Sequence, residues 1–85
     1  MTPRTHLDPE LHTLRTVAQS VEGRSGRRLE SARFNLFAAL ECSDREKAQR
    51  WSAALRTALL AEPDLTPELR ASAIRTLDRI DAGVG

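Results

Sequence analysis

The clearest helix start in the chain lies at residues 43–61, which also contain its only tryptophan, Trp51. Ser43 stands three residues before Glu46, so the serine oxygen can accept from the Glu46 N–H while the glutamate reaches back to the Ser43 N–H. Apolar residues then recur at helical spacing along one stripe: Ala48, Trp51, Ala54, Leu55, Ala58 and Leu59. We therefore predict a helix that begins at Ser43 and buries Trp51 in the principal core.

Three further helices are predicted from the same two signals, a cap and an apolar period of 3.6 residues. Asp8-Pro9-Glu10 and Thr66-Pro67-Glu68 each combine a capping residue, a proline at the first helical position and an acid in the first turn. Gly23 and Gly26 predict a turn after the first helix, and Pro63 ends the third. The four predicted helices span residues 9–22, 27–42, 44–61 and 67–82.

The predicted fold is all-α, a compact bundle of four helices with short loops. Eighty-five residues make a single domain of marginal size, since a domain this small buries only about 60–65% of its unfolded surface. Residues 1–7 are expected to form a flexible arm. Leu7 is expected to pack as a staple before the first helix.

The second predicted helix is apolar over more than half of its circumference. Its stripe consists of Leu29, Ala32, Leu36 and Leu40, and further apolar residues lie beside them. We expect this helix to form a homodimer contact or to bind another protein, because one bundle covers only part of such a surface. The candidate interface residues are Phe34, Phe37, Ala38 and Glu41. The alternative is that helices 1, 3 and 4 wrap helix 2 on three sides.

The net charge is only +1, so binding to nucleic acid would need a local basic patch. Twelve of the 13 basic residues are arginine, which suits paired hydrogen bonds to phosphate. The best local patch is the turn predicted at residues 24–28, since it opens a helix at its positive end and its glycines free backbone N–H groups. The candidate anion or nucleic-acid residues are Arg24, Arg27, Arg28 and Arg33. Against this, Glu22 and Glu30 partly neutralise the turn, and no aromatic residue is interleaved for base stacking.

A second nucleic-acid hypothesis is a helix-turn-helix in which residues 43–61 form the recognition helix. That helix would present Arg45, Lys47, Gln49 and Arg50 to a groove. Asp44 and Glu46 would then face phosphates, and the helix before it is longer than such motifs usually have. This reading therefore remains an alternative.

No catalytic or metal-binding pattern is present. His6 and His12 are six residues apart, which does not place them on one helical face for a metal. Cys42 lies beside a helix start, where a thiol pKa can fall, but no motif supplies it with a base. Asp78 and Asp81 are expected to pair with Arg75 and Arg79 on a solvated face. We expect no enzyme activity, no cofactor and no metal.

Met1-Thr2-Pro3-Arg4 leads into polar sequence, and no apolar run approaches the roughly 20 residues of a membrane span. A cytoplasmic protein without a membrane partner is expected. The function expected from the sequence is a small non-catalytic helical interaction or regulatory protein that self-associates through helix 2. The alternative is a small nucleic-acid-binding protein that uses residues 24–28 or the helix at 43–61.

Overall fold

Four α-helices make up most of residues 8–84, the part of the chain that the computed structural model describes. They are α1 (Asp8–Gln19), α2 (Gly23–Glu41), α3 (Arg45–Ala61) and α4 (Pro67–Val84). No strand occurs within residues 8–84. The predicted all-α bundle of four helices with short loops is confirmed. The predicted arm and the Leu7 staple lie outside the described residues.

Each helix packs mainly against two others. α2 lies against α1 and α3, and α4 lies against the same two helices. The helices therefore follow chain order around the bundle, and α2 has two principal neighbours rather than three. The radius of gyration is 12.0 Å, close to the ~12 Å of a compact domain of this length.

The core lies on the axis of this bundle and draws on every helix. Leu36 of α2 and both Ala73 and Leu77 of α4 are completely enclosed. The other buried apolar residues are Leu14, Val17, Ala18, Val21, Leu29, Ala32, Ala39, Ala48, Leu55, Leu59, Leu65 and Ile80. The apolar stripes predicted for helices 1, 2 and 4 supply most of this set, because a 3.6-residue period sends one face of each helix inward.

The junction between α1 and α2 differs from the prediction. α1 ends at Gln19 rather than at residue 22, and α2 begins at Gly23 rather than at residue 27. Gly23 has a φ of +77°, which makes it the glycine that turns the chain. Gly26 is buried inside α2, where a Cβ atom would overlap the carbonyl oxygen of Val21. Its role is close approach between α2 and the end of α1, so residues 24–28 are helical and do not form a turn.

The start of α3 also differs in its capping residue. Asp44 is the N-cap, and its Oδ1 accepts from the Lys47 N–H at 3.1 Å. Ser43, the predicted cap, instead has a φ of +56° and belongs to the reversal between α2 and α3. The predicted capping box with Glu46 is therefore wrong by one residue, because a left-handed residue is needed to turn the chain in so short a connection.

Trp51 lies at the edge of the core, which corrects the prediction that it is buried in the principal core. It is partly buried and packs against the core from outside. The buried residues of α3 are Ala48, Ser52, Leu55 and Leu59, and Ala54 is exposed. The inward face of α3 includes Ser52, whose hydroxyl donates a hydrogen bond to Asp81 of α4.

The connection between α3 and α4 is held by side chains of α4 and its cap. Thr66 Oγ1 accepts from the Leu69 N–H at 3.2 Å, so the predicted cap is confirmed. Arg70 Nε donates to the Leu59 carbonyl at 3.1 Å, and its Nη2 donates to the Glu62 carbonyl. Carbonyl groups at the C-terminal end of α3 thus receive their hydrogen bonds from a side chain of α4.

Candidate polyanion-binding groove

An open groove of about 420 Å³ lies between α2 and α3, near the N-terminal end of α2. Arginines of α2 form one side of it, while Trp51 and two alanines of α3 form the other. We call this surface the basic groove; its lining residues are Arg24, Arg27, Arg28, Ser31, Ala32, Trp51, Ala54 and Ala58.

Helical spacing explains why the arginines meet. Arg24, Arg27, Arg28 and Ser31 follow the i, i+3, i+4, i+7 pattern, which places them on one face of a helix. This holds only because residues 24–28 are the first turns of α2. Three residues of α3 line the groove, and two of them are alanines, whose small side chains leave the groove open.

The three arginines carry uncompensated charge. Each is exposed, and in residues 8–84 none of them forms an ion pair or a side-chain hydrogen bond. The first turn of α2 contains no acidic residue, and the N-cap residue Glu22 makes no side-chain cap. The positive end of the helix therefore adds to the arginine charges instead of being offset by a carboxylate. No residue that lines the groove is acidic.

Arg33, the fourth predicted anion residue, does not belong to the basic groove. Its Nε donates to Glu30 Oε1 at 3.0 Å, its Nη2 donates to Glu30 Oε2, and it is buried. The hydrogen bond from Arg33 lowers the pKa of Glu30 below its ordinary value, although burial acts to raise it. Glu30 is thus engaged with Arg33, and the expected neutralisation of the other arginines by Glu30 is not seen.

Trp51 is the groove residue that reasoning from sequence missed. It stands 23 positions after Arg28, so no local pattern joins the two. The short connection between α2 and α3 was the available signal, because it makes the two helices antiparallel neighbours. An indole beside guanidinium groups offers a flat surface for stacking next to donors for phosphate.

The predicted recognition-helix residues lie elsewhere. Arg45, Lys47, Gln49 and Arg50 are exposed on α3, and none of them lines the basic groove. α2 and α3 stay in contact from this groove to a second one near their connection, lined by Ala39 and Ala48 among others. The two helices of a helix-turn-helix cross at about 90–120°, so this side-by-side pair does not favour that motif.

The candidate interface residues share one face of α2. Phe34 is 65% exposed, the largest value among the large apolar side chains described. Ala38 and Glu41 are exposed as well, whereas Phe37 is partly buried and packs on the core. The structure therefore leaves a small apolar patch centred on Phe34.

The acidic pair of α4 binds across helices rather than along its own helix. Arg56 Nη2 of α3 lies 2.9 Å from Asp78 Oδ1 and 3.0 Å from Asp81 Oδ2. Burial acts to lower the pKa of Arg56, but the hydrogen bonds and charges of the two aspartates outweigh it and raise that pKa above its ordinary value. The predicted pairing with Arg75 and Arg79 is therefore wrong, since the bundle brings Arg56 within reach.

No group of three or more His, Cys, Asp or Glu side chains within residues 8–84 is placed to hold a metal ion. Cys42 is exposed and free. His12 is exposed on α1, and His6 lies outside the described residues.

Comparison with family models, with curated proteins and with solved structures finds no match to this chain. No helix of the described chain is long and apolar enough to cross a membrane.

Proposed function

We propose that this protein is a non-catalytic binding module and that the basic groove binds a nucleic-acid strand. The observation that supports this is the set of three arginines, without an acidic neighbour in the groove, beside a partly exposed indole. The net charge of the whole chain is +1, so the attraction to a polyanion is local to this surface.

Each part of the groove suits one part of a nucleotide. The guanidinium groups of Arg24, Arg27 and Arg28 present planar donor pairs that match phosphate oxygens. The indole of Trp51 provides a surface on which an unpaired base stacks, a contact that is tolerant of sequence. A single strand exposes both its phosphates and its bases, so it uses both parts at once. We therefore expect single strands to bind more tightly than duplexes.

The expected salt dependence follows from the number of arginines. A single strand gives a slope of log K against log salt of about −0.7 per neutralised phosphate, hence about −2 for three contacts. Raising the salt concentration fourfold should then weaken binding by about 20-fold. Substituting one groove arginine should reduce the slope by about 0.7.

The test is a fluorescence-anisotropy titration of a labelled oligothymidine at several salt concentrations. Arg28→Gln is compared with Arg79→Gln, which removes the same charge from an exposed position on α4. We expect weaker binding and a shallower slope for Arg28→Gln, and near wild-type values for Arg79→Gln. Equal effects of the two variants, or no binding at low salt, would refute the proposal.

A further inference from the structure

One stripe of α2 carries opposite charges at equal distances on the two sides of its exposed phenylalanine. Arg27 lies seven residues before Phe34, and Glu41 lies seven residues after it. Seven residues are close to two helical turns, so all three side chains lie along one line of the helix. All three are exposed.

We propose that a second copy of the chain covers this stripe, with the two α2 helices antiparallel about a two-fold axis at Phe34. Phe34 then packs on Phe34 of the partner subunit. Because Arg27 and Glu41 are equally far from the axis, Arg27 of each copy faces Glu41 of the other. One self-complementary contact thus contains an apolar centre and two ion pairs.

The charges select this register over the parallel one. In a parallel pair of α2 helices, Arg27 would lie beside Arg27 and Glu41 beside Glu41, and like charges across a contact are repulsive. In the antiparallel arrangement the positive end of each helix dipole also lies beside the negative end of the other, which is favourable. Ala38, an exposed small residue of the same face, allows close approach of the two helices.

The architecture of the bundle leaves room for this contact. Within residues 8–84, α2 packs mainly on α1 and α3, and Phe34 remains 65% exposed. Phe37 is already packed against the core, so it belongs chiefly to the monomer and only flanks the contact. A domain of this size gains substantially from extra apolar burial.

The two proposals share one residue. In the dimer Arg27 pairs with Glu41 of the partner subunit, so Arg24 and Arg28 supply the phosphate contacts and the expected salt slope becomes about −1.4. Arg27 lines the basic groove and also lies on the stripe, whereas Arg24 and Arg28 line the groove only. Nucleic-acid binding is therefore tested with Arg28→Gln, and self-association with variants on the stripe, so the two ideas fail separately.

The first experiment is the molar mass by light scattering from low to high micromolar concentration. We expect a wild-type dimer, a folded Phe34→Glu monomer, and an unchanged dimer for Leu60→Glu. Leu60 is the matched control because, among the residues whose burial the structure describes, it is the other exposed large apolar residue, 62% exposed on α3. A wild-type protein that is monomeric at high micromolar concentration overturns the proposal, as does equal dissociation by Leu60→Glu.

The second experiment tests the register of the two helices. It also tests the dimer independently if Phe34→Glu does not fold. Arg27→Glu and Glu41→Arg should each weaken the dimer by at least about tenfold, since each creates two like-charge contacts. The double variant Arg27→Glu with Glu41→Arg should restore the dimer, because opposite charges face each other again. Failure of the double variant to restore association overturns the antiparallel register.

Discussion

Ser52 Oγ donates a 2.7 Å hydrogen bond to Asp81 Oδ1, which joins the centre of α3 to the C-terminal part of α4. Ser52 is only 2% exposed, so its hydroxyl depends on this acceptor. Asp81 also accepts from Arg56, so one carboxylate serves two residues of α3. The contact explains why α3 turns Ser52 rather than Trp51 toward the core.

Asp81→Ala should destabilise the protein by about 1–3 kcal/mol, because it leaves the buried Ser52 hydroxyl without an acceptor. The control is Asp78→Ala, which removes the more exposed partner of Arg56 and should cost about 0–1 kcal/mol. Urea denaturation followed by circular dichroism measures both. If the two variants lose the same free energy of unfolding, the hydrogen bond from Ser52 to Asp81 makes no additional contribution to stability.

Gly26→Ala should destabilise the protein by about 1–3 kcal/mol, because the new Cβ overlaps the backbone of Val21 and forces α2 away from α1. Gly83→Ala is the matched control in another helix, where a Cβ meets nothing within 4 Å. That control should be neutral or slightly stabilising. Thermal melts compare them, and an unchanged melting temperature for Gly26→Ala would contradict the close approach.

Trp51→Leu should weaken oligothymidine binding by about five- to 150-fold while leaving the salt slope unchanged, because stacking releases no counterions. This separates it from Arg28→Gln, which changes the slope. Melting temperatures check that the variant stays folded, since Trp51 also packs on the edge of the core. A change in slope equal to that of Arg28→Gln would argue against a stacking role.

Glu30 should make stability depend on pH in the acid range. Its pKa is lower in the folded chain, so in the acid range the unfolded state binds more protons and stability rises with pH. The contribution is fully present above the unfolded pKa and is lost as the pH falls through the folded pKa. Its size should be about 0.2–1 kcal/mol, because the Glu30 side chain is 42% exposed.

Glu30→Gln tests this by urea denaturation at several pH values between neutral and strongly acid. The free energy of unfolding of the variant should fall slightly less than that of the wild type below about pH 5, because the carboxyl group with the lowered pKa has been removed. Glu68→Gln, an exposed acid in the first turn of α4, is the control. A larger flattening for Glu68→Gln would show that the pair with Arg33 does not cause the effect.

Local signals in the sequence predicted most of the secondary structure. The cap at Thr66 and the stop at Pro63 depend on residues within four positions of each other, so the chain encodes them without help from distant parts. The ion pair of Glu30 with Arg33 is also local, at i and i+3, and its spacing was visible although the prediction assigned Arg33 to the anion site. The apolar periods predicted the inward faces of α1, α2 and α4 for the same reason.

The positions that the sequence misassigned are those decided by packing between helices. Gly26 resembles a turn glycine in the sequence, and only the approach of α2 to Val21 shows why a side chain is excluded there. Ser52 is polar, so an apolar period cannot place it inward; its acceptor Asp81 lies 29 residues away. Trp51 lines the same groove as the arginines of α2 only in the folded bundle. Helix formation depends on neighbours along the chain, whereas burial and the composition of the groove depend on which faces meet in space.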